Sequence, residues 1–348
     1  MRVAISLSAT GGPWGDFVTY AQEAERLGVA MCFVAEAWGT DAVSPLAYLA
    51  AKTERILLAS GIMQISARTP VTTAQTALTL ATLSGNRFIL GLGVSGPQVV
   101  EGLHGVPFAH PLGRMRETIH IIRLACAGEP IVYQGKHYAL PRLGGEGKAL
   151  RLNLPTNPAL PIYLATLAPK MLELTGELAD GWIGTSFIPE RATVFTERLA
   201  AGAARAGRTL TDLDLSQGGD VAFSDDVEAL VAARKSRLAF SLGGMGSATT
   251  NFYNDAYSRQ GWADVAAEVR RLWVAGRRQD AAAIIPDALV LQTTMLGTEA
   301  MVRQRIRAWH DAGITTLRVY PAGQTLAERL TTLGRAIDIV EELNHERA

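Results

Sequence analysis

The chain has 348 residues, 48% hydrophobic and 19% charged, with 33 basic and 33 acidic side chains. This is globular composition with length for a large core, and the zero formal net charge provides no global basic field to hold nucleic acid or anionic lipid. No apolar run reaches the roughly 20 residues that span a bilayer. The opening MRVAISLSAT reads as a strand and not as an export signal. Cys32 and Cys126 lie outside any CxxC and read as reduced thiols. The expectation is a soluble cytoplasmic protein with a small-molecule substrate and with neither nucleic-acid nor membrane partners.

In chain order, short β-rich runs alternate with helical patterns. RVAISLS (2–8) is a strand. In WGDFVTYAQEAERLG (14–28), Phe17, Ala21, Ala24 and Leu27 share a helical face that Gly28 ends. AMCFVAE (30–36) is the second strand. SPLAYLAAKT (44–53) is a helix with Ser44 as its expected cap and Pro45 in its first turn. RILLASGIMQIS (55–66) is the third strand, PVTTAQTALTLATLSG (70–85) a helix closed by Gly85, and RFILGLGVS (87–95) the fourth strand. Further strands are predicted at 160–166, 181–186, 213–223 and 315–323, with helices over 169–178, 190–206 and 299–312. The apolar runs are continuous, as in parallel strands covered on both faces, and the helices between them supply the crossovers. Eight such units predict a single TIM (β/α)8 barrel domain over 1–348; a doubly wound open sheet is the alternative.

Two excursions interrupt the rhythm, at about 128–159 and 240–297. The first contains a hairpin-like stretch and the second the helical WADVAAEVRRLWVAG. Both are expected as insertions at the C-terminal face of the strands, beside the substrate. Their alternative role is packing or dimer decoration.

No GxSxG, HExxH or Cys/His cluster is present, so no familiar nucleophile or metal site is expected. LGLGVSG, with Gly91, Gly93 and Gly96, lacks the dinucleotide fingerprint. In a parallel barrel the strand C-termini build the site. Those ends carry Leu7 and Ser8, Glu36 with Trp38, Gln64 with Ser66, Ser95, Thr166, Thr185 and Tyr320. Hydroxyls, amides, one carboxylate and two aromatics suit a flat, mostly apolar ligand with polar edges. The turn Thr166-Leu167-Ala168 before Pro169 offers free N–H groups and a helix dipole to an anion, with Thr185 as a further hydroxyl. A plain βα turn is the alternative there.

FVAEAWGTDAVSPL, the block GIMQISARTPVTTAQTALTLATLSGNRFILGLGVSGPQVVEGLHG and AAAIIPDALV resemble the luciferase-like monooxygenase superfamily, and within it the branch that uses the deazaflavin coenzyme F420. The resemblance extends over nearly the whole chain. It implies a cis Gly61–Ile62 bond in a bulge that supports the cofactor ring, with the Gln64 amide turned towards the ring edge or the substrate. It also implies a phosphate site at Thr166, Leu167 and Ala168 with help from Thr185, and a ring approached by Glu36, Ala37 and Trp38. Ser8 and Ser95 complete the implied cofactor contacts. Relatives acting on sugar phosphates have a catalytic histidine where this chain has Ala37, and a glutamate after the fourth strand where it reads Ser95-Gly96-Pro97-Gln98, which argues against that substrate. The implied activity is hydride transfer between F420 and an organic substrate, with Glu36 and Gln64 as the catalytic candidates and Arg68, Lys170 and Arg191 as candidates for the acidic tail. The alternatives are an FMN-dependent monooxygenase and a non-catalytic flavin-binding protein. A homodimer through the 70–85 helix is also implied.

Overall fold

The computed structural model describes residues 1–7, 14–247 and 249–346. The chain runs β1 (Arg2–Leu7), α1 (Trp14–Arg26), β2 (Met31–Val34), α2 (Val43–Ala50), β3 (Leu57–Ser60), β4 (Met63–Gln64), α3 (Pro70–Leu83), β5 (Phe88–Gly93), α4 (Pro97–Val100) and α5 (Pro111–Cys126). A small hairpin, β6 (Tyr133–Gln134) and β7 (Ala139–Leu140), precedes β8 (Ile162–Ala165), α6 (Pro169–Leu178), β9 (Gly181–Ile183), α7 (Thr193–Arg205), β10 (Asp214–Phe223) and α8 (Val227–Ala239). Then α9 (Phe252–Tyr257), α10 (Ala263–Val274), α11 (Arg278–Ala283) and α12 (Asp287–Thr293) lead to β11 (Met295–Gly297), α13 (Glu299–Asp311), β12 (Thr316–Pro321) and α14 (Leu326–His345).

Parallel pairing passes from β1 through β2, β3, β5, β8, β9, β10 and β12 and returns to β1. The result is the closed eight-stranded barrel that the eight βα units predict. Each strand is buried on both faces because helices cover the outside and side chains fill the inside. β5 is buried along its whole length. Its Ile89 points inward with Ala4, Met31, Phe33, Ala59, Tyr163 and Ile183, while Leu90 and Leu92 join the core under the helices. Gly91 is required here: a Cβ would lie 1.9 Å from the Ser60 carbonyl oxygen. At the N-terminal end of the barrel, Asp214 accepts bonds from Arg2 (2.8 Å), Tyr163 (2.8 Å) and Thr316 (2.7 Å).

The third strand breaks where the sequence places glycine. Gly61–Ile62 is cis, β3 stops before it, and β4 resumes after it by pairing Met63 with Leu92 and Gln64 with Gly93. Gly85 ends α3 with φ +63°, a left-handed conformation that suits glycine. The expected Ser44 cap is corrected: Ser44 lies inside α2, the N-cap position is Ala42 with no side-chain cap, and Asp41 Oδ1, one residue earlier, accepts from the Ser44 amide at 2.8 Å.

The two excursions differ in placement. The 240–297 segment, carrying α9 to α12, follows β10 and α8 and returns to the sheet as β11, which pairs with the C-terminal half of β10. It covers the C-terminal face, as expected. The 128–159 segment follows the crossover helix α5 and not a strand, so it starts at the opposite face. Its hairpin lies along α5, where Glu117 accepts from the amides of Lys136 (2.8 Å), His137 (2.9 Å) and Tyr138 (2.9 Å). The hairpin runs back to the start of that helix, where His137 stacks on His110 with ring centroids 5.3 Å apart. Among the described residues no helix is long and apolar enough to cross a membrane. Cys32 and Cys126 are buried and unpaired.

Candidate active site

The C-terminal strand ends converge on one mouth. The end of β2 is tied to the break in the third strand: the Gly61 amide donates to the Val34 carbonyl at 2.7 Å and the Glu36 amide to the Ile62 carbonyl at 3.3 Å. Gln64 is 2% exposed. Its Nε2 reaches the Glu36 carbonyl at 3.4 Å, while its Oε1 has no partner among the described residues, and neither does the buried Ser66 Oγ. An unpartnered buried oxygen is costly. Two of them beside the strand break suit a ligand with polar N–H or O–H groups along its edge. Ile62 and Gly93 are in close contact, since a Cβ on Gly93 would lie 2.8 Å from the Ile62 side chain, which leaves a small, apolar floor.

Glu36 is committed. Its carboxylate takes both Arg68 nitrogens, Nη1 at 2.6 Å and Nη2 at 2.8 Å, and the Ala42 amide at 3.2 Å. The hydrogen bonds with Glu36 come first among the causes that hold the Arg68 pKa above its usual value. A carboxylate with three donors in place is a clamp for the 36–42 loop, and Arg68 is thereby removed from the candidates for an anionic tail. Trp38 is 64% exposed on the rim. Ser95 stands at the mouth with φ +59°. Ser8 lies outside the described residues.

The turn before α6 has two kinds of group. The amides of Leu167 and Ala168 make no hydrogen bond among the described residues, and Ala168, the N-cap of α6, provides no side-chain cap. The Thr166 hydroxyl is used elsewhere. Thr175 Oγ1 donates to the Met171 carbonyl at 2.8 Å, so in the 2.8 Å bond between the two threonines Thr166 is the donor. The Thr166 side chain therefore cannot donate to an anion, although the turn's backbone can. Thr185 is exposed at the end of β9, as are Lys170 and Arg191. A residue not anticipated from sequence stands closer: Arg259 Nη2 donates to the Leu167 carbonyl at 2.7 Å. Beside it, the Gln260 amide accepts from the Ile188 amide at 2.7 Å and donates to the Ser186 carbonyl at 2.7 Å. These bonds fasten the second excursion to the barrel. No local motif marks Arg259, because its partner is 92 residues away.

On the β12 side of the mouth, Tyr320, expected from its place at the strand end, is joined by Arg318, which the sequence does not single out. Arg318 is 6% exposed. It donates Nε to the Tyr320 hydroxyl at 3.0 Å and Nη2 to the Gly184 carbonyl at 2.7 Å, and lies 5.3 Å from the Phe33 ring centroid.

A closed (β/α)8 barrel with a broken third strand and polar groups at its C-terminal mouth is an enzyme-type scaffold. A family profile described as "Luciferase-like monooxygenase" matches residues 1–316, and the chain belongs to that family. A Mycobacterium tuberculosis protein named as a candidate coenzyme F420-dependent oxidoreductase is 41% identical over 332 residues, covering 92% of this chain and 96% of that one. An F420-dependent glucose-6-phosphate dehydrogenase of Beutenbergia cavernae is 32% identical over 252 residues, covering 67% and 72%. The structure of the coenzyme F420-dependent tetrahydromethanopterin reductase of Methanopyrus kandleri superimposes with a TM-score of 0.81 at 21% identity, covering 97% of this chain and 98% of that one.

Proposed function

We propose that this protein is an oxidoreductase that uses coenzyme F420 to transfer a hydride to or from a small organic substrate. The observation that carries the reading is the 41% identity, over nearly its whole length, with a relative named for that coenzyme. It is supported by a site with two unpartnered buried oxygens, Gln64 Oε1 and Ser66 Oγ, set beside the Gly61–Ile62 break.

The deazaflavin, when bound, supplies the carbon that carries the hydride. The chain's own residues do the rest. Ile62 and the Gly61 backbone would support the ring, Gln64 and Ser66 would bond its polar edge, and Trp38 and Ser95 would border it. The Leu167 and Ala168 amides, with the dipole of α6 behind them, would hold its phosphate. Thr185 and Arg259 flank that turn. The second excursion excludes water from the mouth. Glu36, held by Arg68, positions the loop that carries Trp38 and is not itself the group that moves a proton. A second copy pairs through the α2–α3 side, where Tyr48 is 47% and Leu83 57% exposed; light scattering at micromolar protein tests it, and a monomer there contradicts it.

The reading is tested by mixing protein loaded with reduced F420 with candidate acceptors, with and without oxygen. Acceptor-dependent oxidation of the cofactor at the same rate under both conditions is expected. Oxygen consumption coupled to product, with FMN replacing F420, would instead mark a monooxygenase.

A further inference from the structure

Arg318 is a buried cation for which, among the described residues, no carboxylate is an ion-pair partner. A guanidinium taken out of water without an anion is unfavourable. The group placed to balance it is the Tyr320 phenol, 3.0 Å from Nε. Tyr320 lies one residue before the end of β12 and also bonds Ser6 of β1. It borders a cavity of about 130 Å³ lined by Thr185, Ser186, Gly219, Asp220 and Arg237. With a water's share of liquid volume at roughly 30 Å³, the cavity admits a head group of a few heavy atoms.

The charged and titratable groups around Tyr320 come from every element packed on it. Asp220 is its register partner on β10, but it is ion-paired with Arg234 and Arg237 of α8, each at 3.2 Å. Arg237 also lies 5.5 Å from the Tyr320 ring centroid. Tyr253 of α9 is the remaining neighbour; burial first, and Tyr320 second, push its phenol up. Burial by itself would raise the Tyr320 phenol too. The Arg318 charge, the bonds from Ser6 and Arg318, and the charge of Arg237 outweigh it and hold Tyr320 below the usual tyrosine value.

We propose that Tyr320, backed by Arg318, is a catalytic residue that exchanges a proton with the oxygen of the substrate, and that the substrate class is small ketones and aldehydes together with their alcohols. This rests on the hydride-transfer reading above. In the reducing direction a hydride from the reduced deazaflavin, which is thereby oxidised, forms the new C–H bond at the carbonyl carbon. The C=O π pair moves to oxygen, and that oxygen takes the proton from the Tyr320 hydroxyl as its O–H bond breaks. The phenolate left behind faces Arg318 and regains a proton from solvent. Oxidation of the alcohol is the same path reversed. A fixed cation behind a proton donor is the arrangement that stabilises charge developing on oxygen.

The test compares wild type, Tyr320→Phe and Arg318→Met. Tyr320→Phe keeps the ring that packs under Arg237, and far-ultraviolet circular dichroism checks that both variants are folded. Cofactor affinity is measured first, by titration with F420. Turnover with reduced F420 is then followed across pH with a panel of ketones and aldehydes, and with nitroalkenes as carbonyl-free acceptors. Separately, ring-labelled tyrosine is titrated by NMR in the cofactor-free protein, with Tyr320 assigned by its loss in Tyr320→Phe. The expected result is carbonyl reduction by wild type and a loss of about 100-fold or more in kcat for Tyr320→Phe at unchanged cofactor affinity. Tyr320 should ionise below the ordinary value of about 10. Arg318→Met should move both that ionisation and the alkaline limb of kcat to higher pH, because the protonated phenol is the active form and its stabilising cation for the ionised form is gone. An ordinary or raised Tyr320 ionisation in wild type overturns the proposal. So does full carbonyl turnover by Tyr320→Phe, or turnover of nitroalkenes with none of any carbonyl. A wild type that binds no F420 overturns the hydride-transfer reading instead, and the Tyr320 titration still decides whether the pair exists.

Discussion

Arg68 holds Glu36 by a two-pronged bond, Nη1 to Oε1 at 2.6 Å and Nη2 to Oε2 at 2.8 Å, which joins the start of α3 to the end of β2. The strand-end carboxylate singled out from the sequence is therefore occupied. With 9% of the Glu36 side chain and 19% of the Arg68 side chain exposed, the pair is shielded enough for its geometry to matter.

Glu36→Gln and Arg68→Met should each destabilise the fold by roughly 1–3 kcal/mol, because each leaves its partner's charge half-buried and unpaired. The double variant should lose less than the sum of the singles. Urea unfolding of the four proteins measures it. If Glu36 were instead the proton-transfer group, Glu36→Gln would abolish turnover while Arg68→Met retained most of it; a clamp predicts similar losses from both.

At the turn before α6, backbone and side chain should separate. Ala168→Glu places a carboxylate where the phosphate is proposed, and repulsion of roughly 1–3 kcal/mol weakens F420 binding about five- to hundred-fold. Thr166→Val should leave affinity unchanged and lower stability by about 1 kcal/mol, since its hydroxyl serves Thr175. Thr185→Val should cost about 0.5–1.5 kcal/mol of binding. Fluorescence titration of F420 with each folded variant decides; tight binding by Ala168→Glu would place the phosphate elsewhere.

Arg259→Met should loosen the same turn from the other side by removing the bond to the Leu167 carbonyl. A several-fold weaker F420 affinity, with faster amide exchange at residues 166–168, is expected. Unchanged exchange would mean that the turn holds its shape without Arg259.

How much of this is legible in the sequence differs by kind of feature. All eight barrel strands are, because runs such as FILGLG are apolar at every position and buried on both faces. The start of α6 is legible from Pro169. The side of the barrel on which an excursion starts is not readable from composition: 128–159 follows the crossover helix α5, and its hairpin lies back along that helix through bonds to Glu117. Nor are the roles of Glu36 and Thr166 legible, because their partners, Arg68 and Thr175, are supplied by the fold. Arg259 and Arg318 are ordinary arginines in sequence. What distinguishes them is burial against carbonyls of distant segments.

The charge network at the base of the barrel gives a pH prediction. Burial alone would raise the Asp214 pKa, but the Arg2 charge and the bonds from Thr315, Thr316 and Arg2 outweigh it and hold the carboxyl below its ordinary value of 3.8. A depressed folded-state pKa stabilises the fold above the unfolded value, and that contribution is lost as pH falls through the folded one. Stability should thus fall off in acid, below about pH 4. Asp214→Asn should cost roughly 2–3 kcal/mol near neutrality and flatten this acid limb. Thermal melts from pH 7 downward test it; parallel acid limbs in both proteins would exclude Asp214 as the source.

The central claim, that the barrel mouth is built for a deazaflavin, is tested most directly by equilibrium titration of the purified protein with F420 and, separately, with FMN, each followed by the cofactor's own fluorescence. The account predicts saturable F420 binding at micromolar or lower concentration, one cofactor per chain, weakened by Ala168→Glu, with FMN binding at least about tenfold weaker, a difference of roughly 1.4 kcal/mol. Micromolar FMN binding with no detectable F420 binding would contradict it.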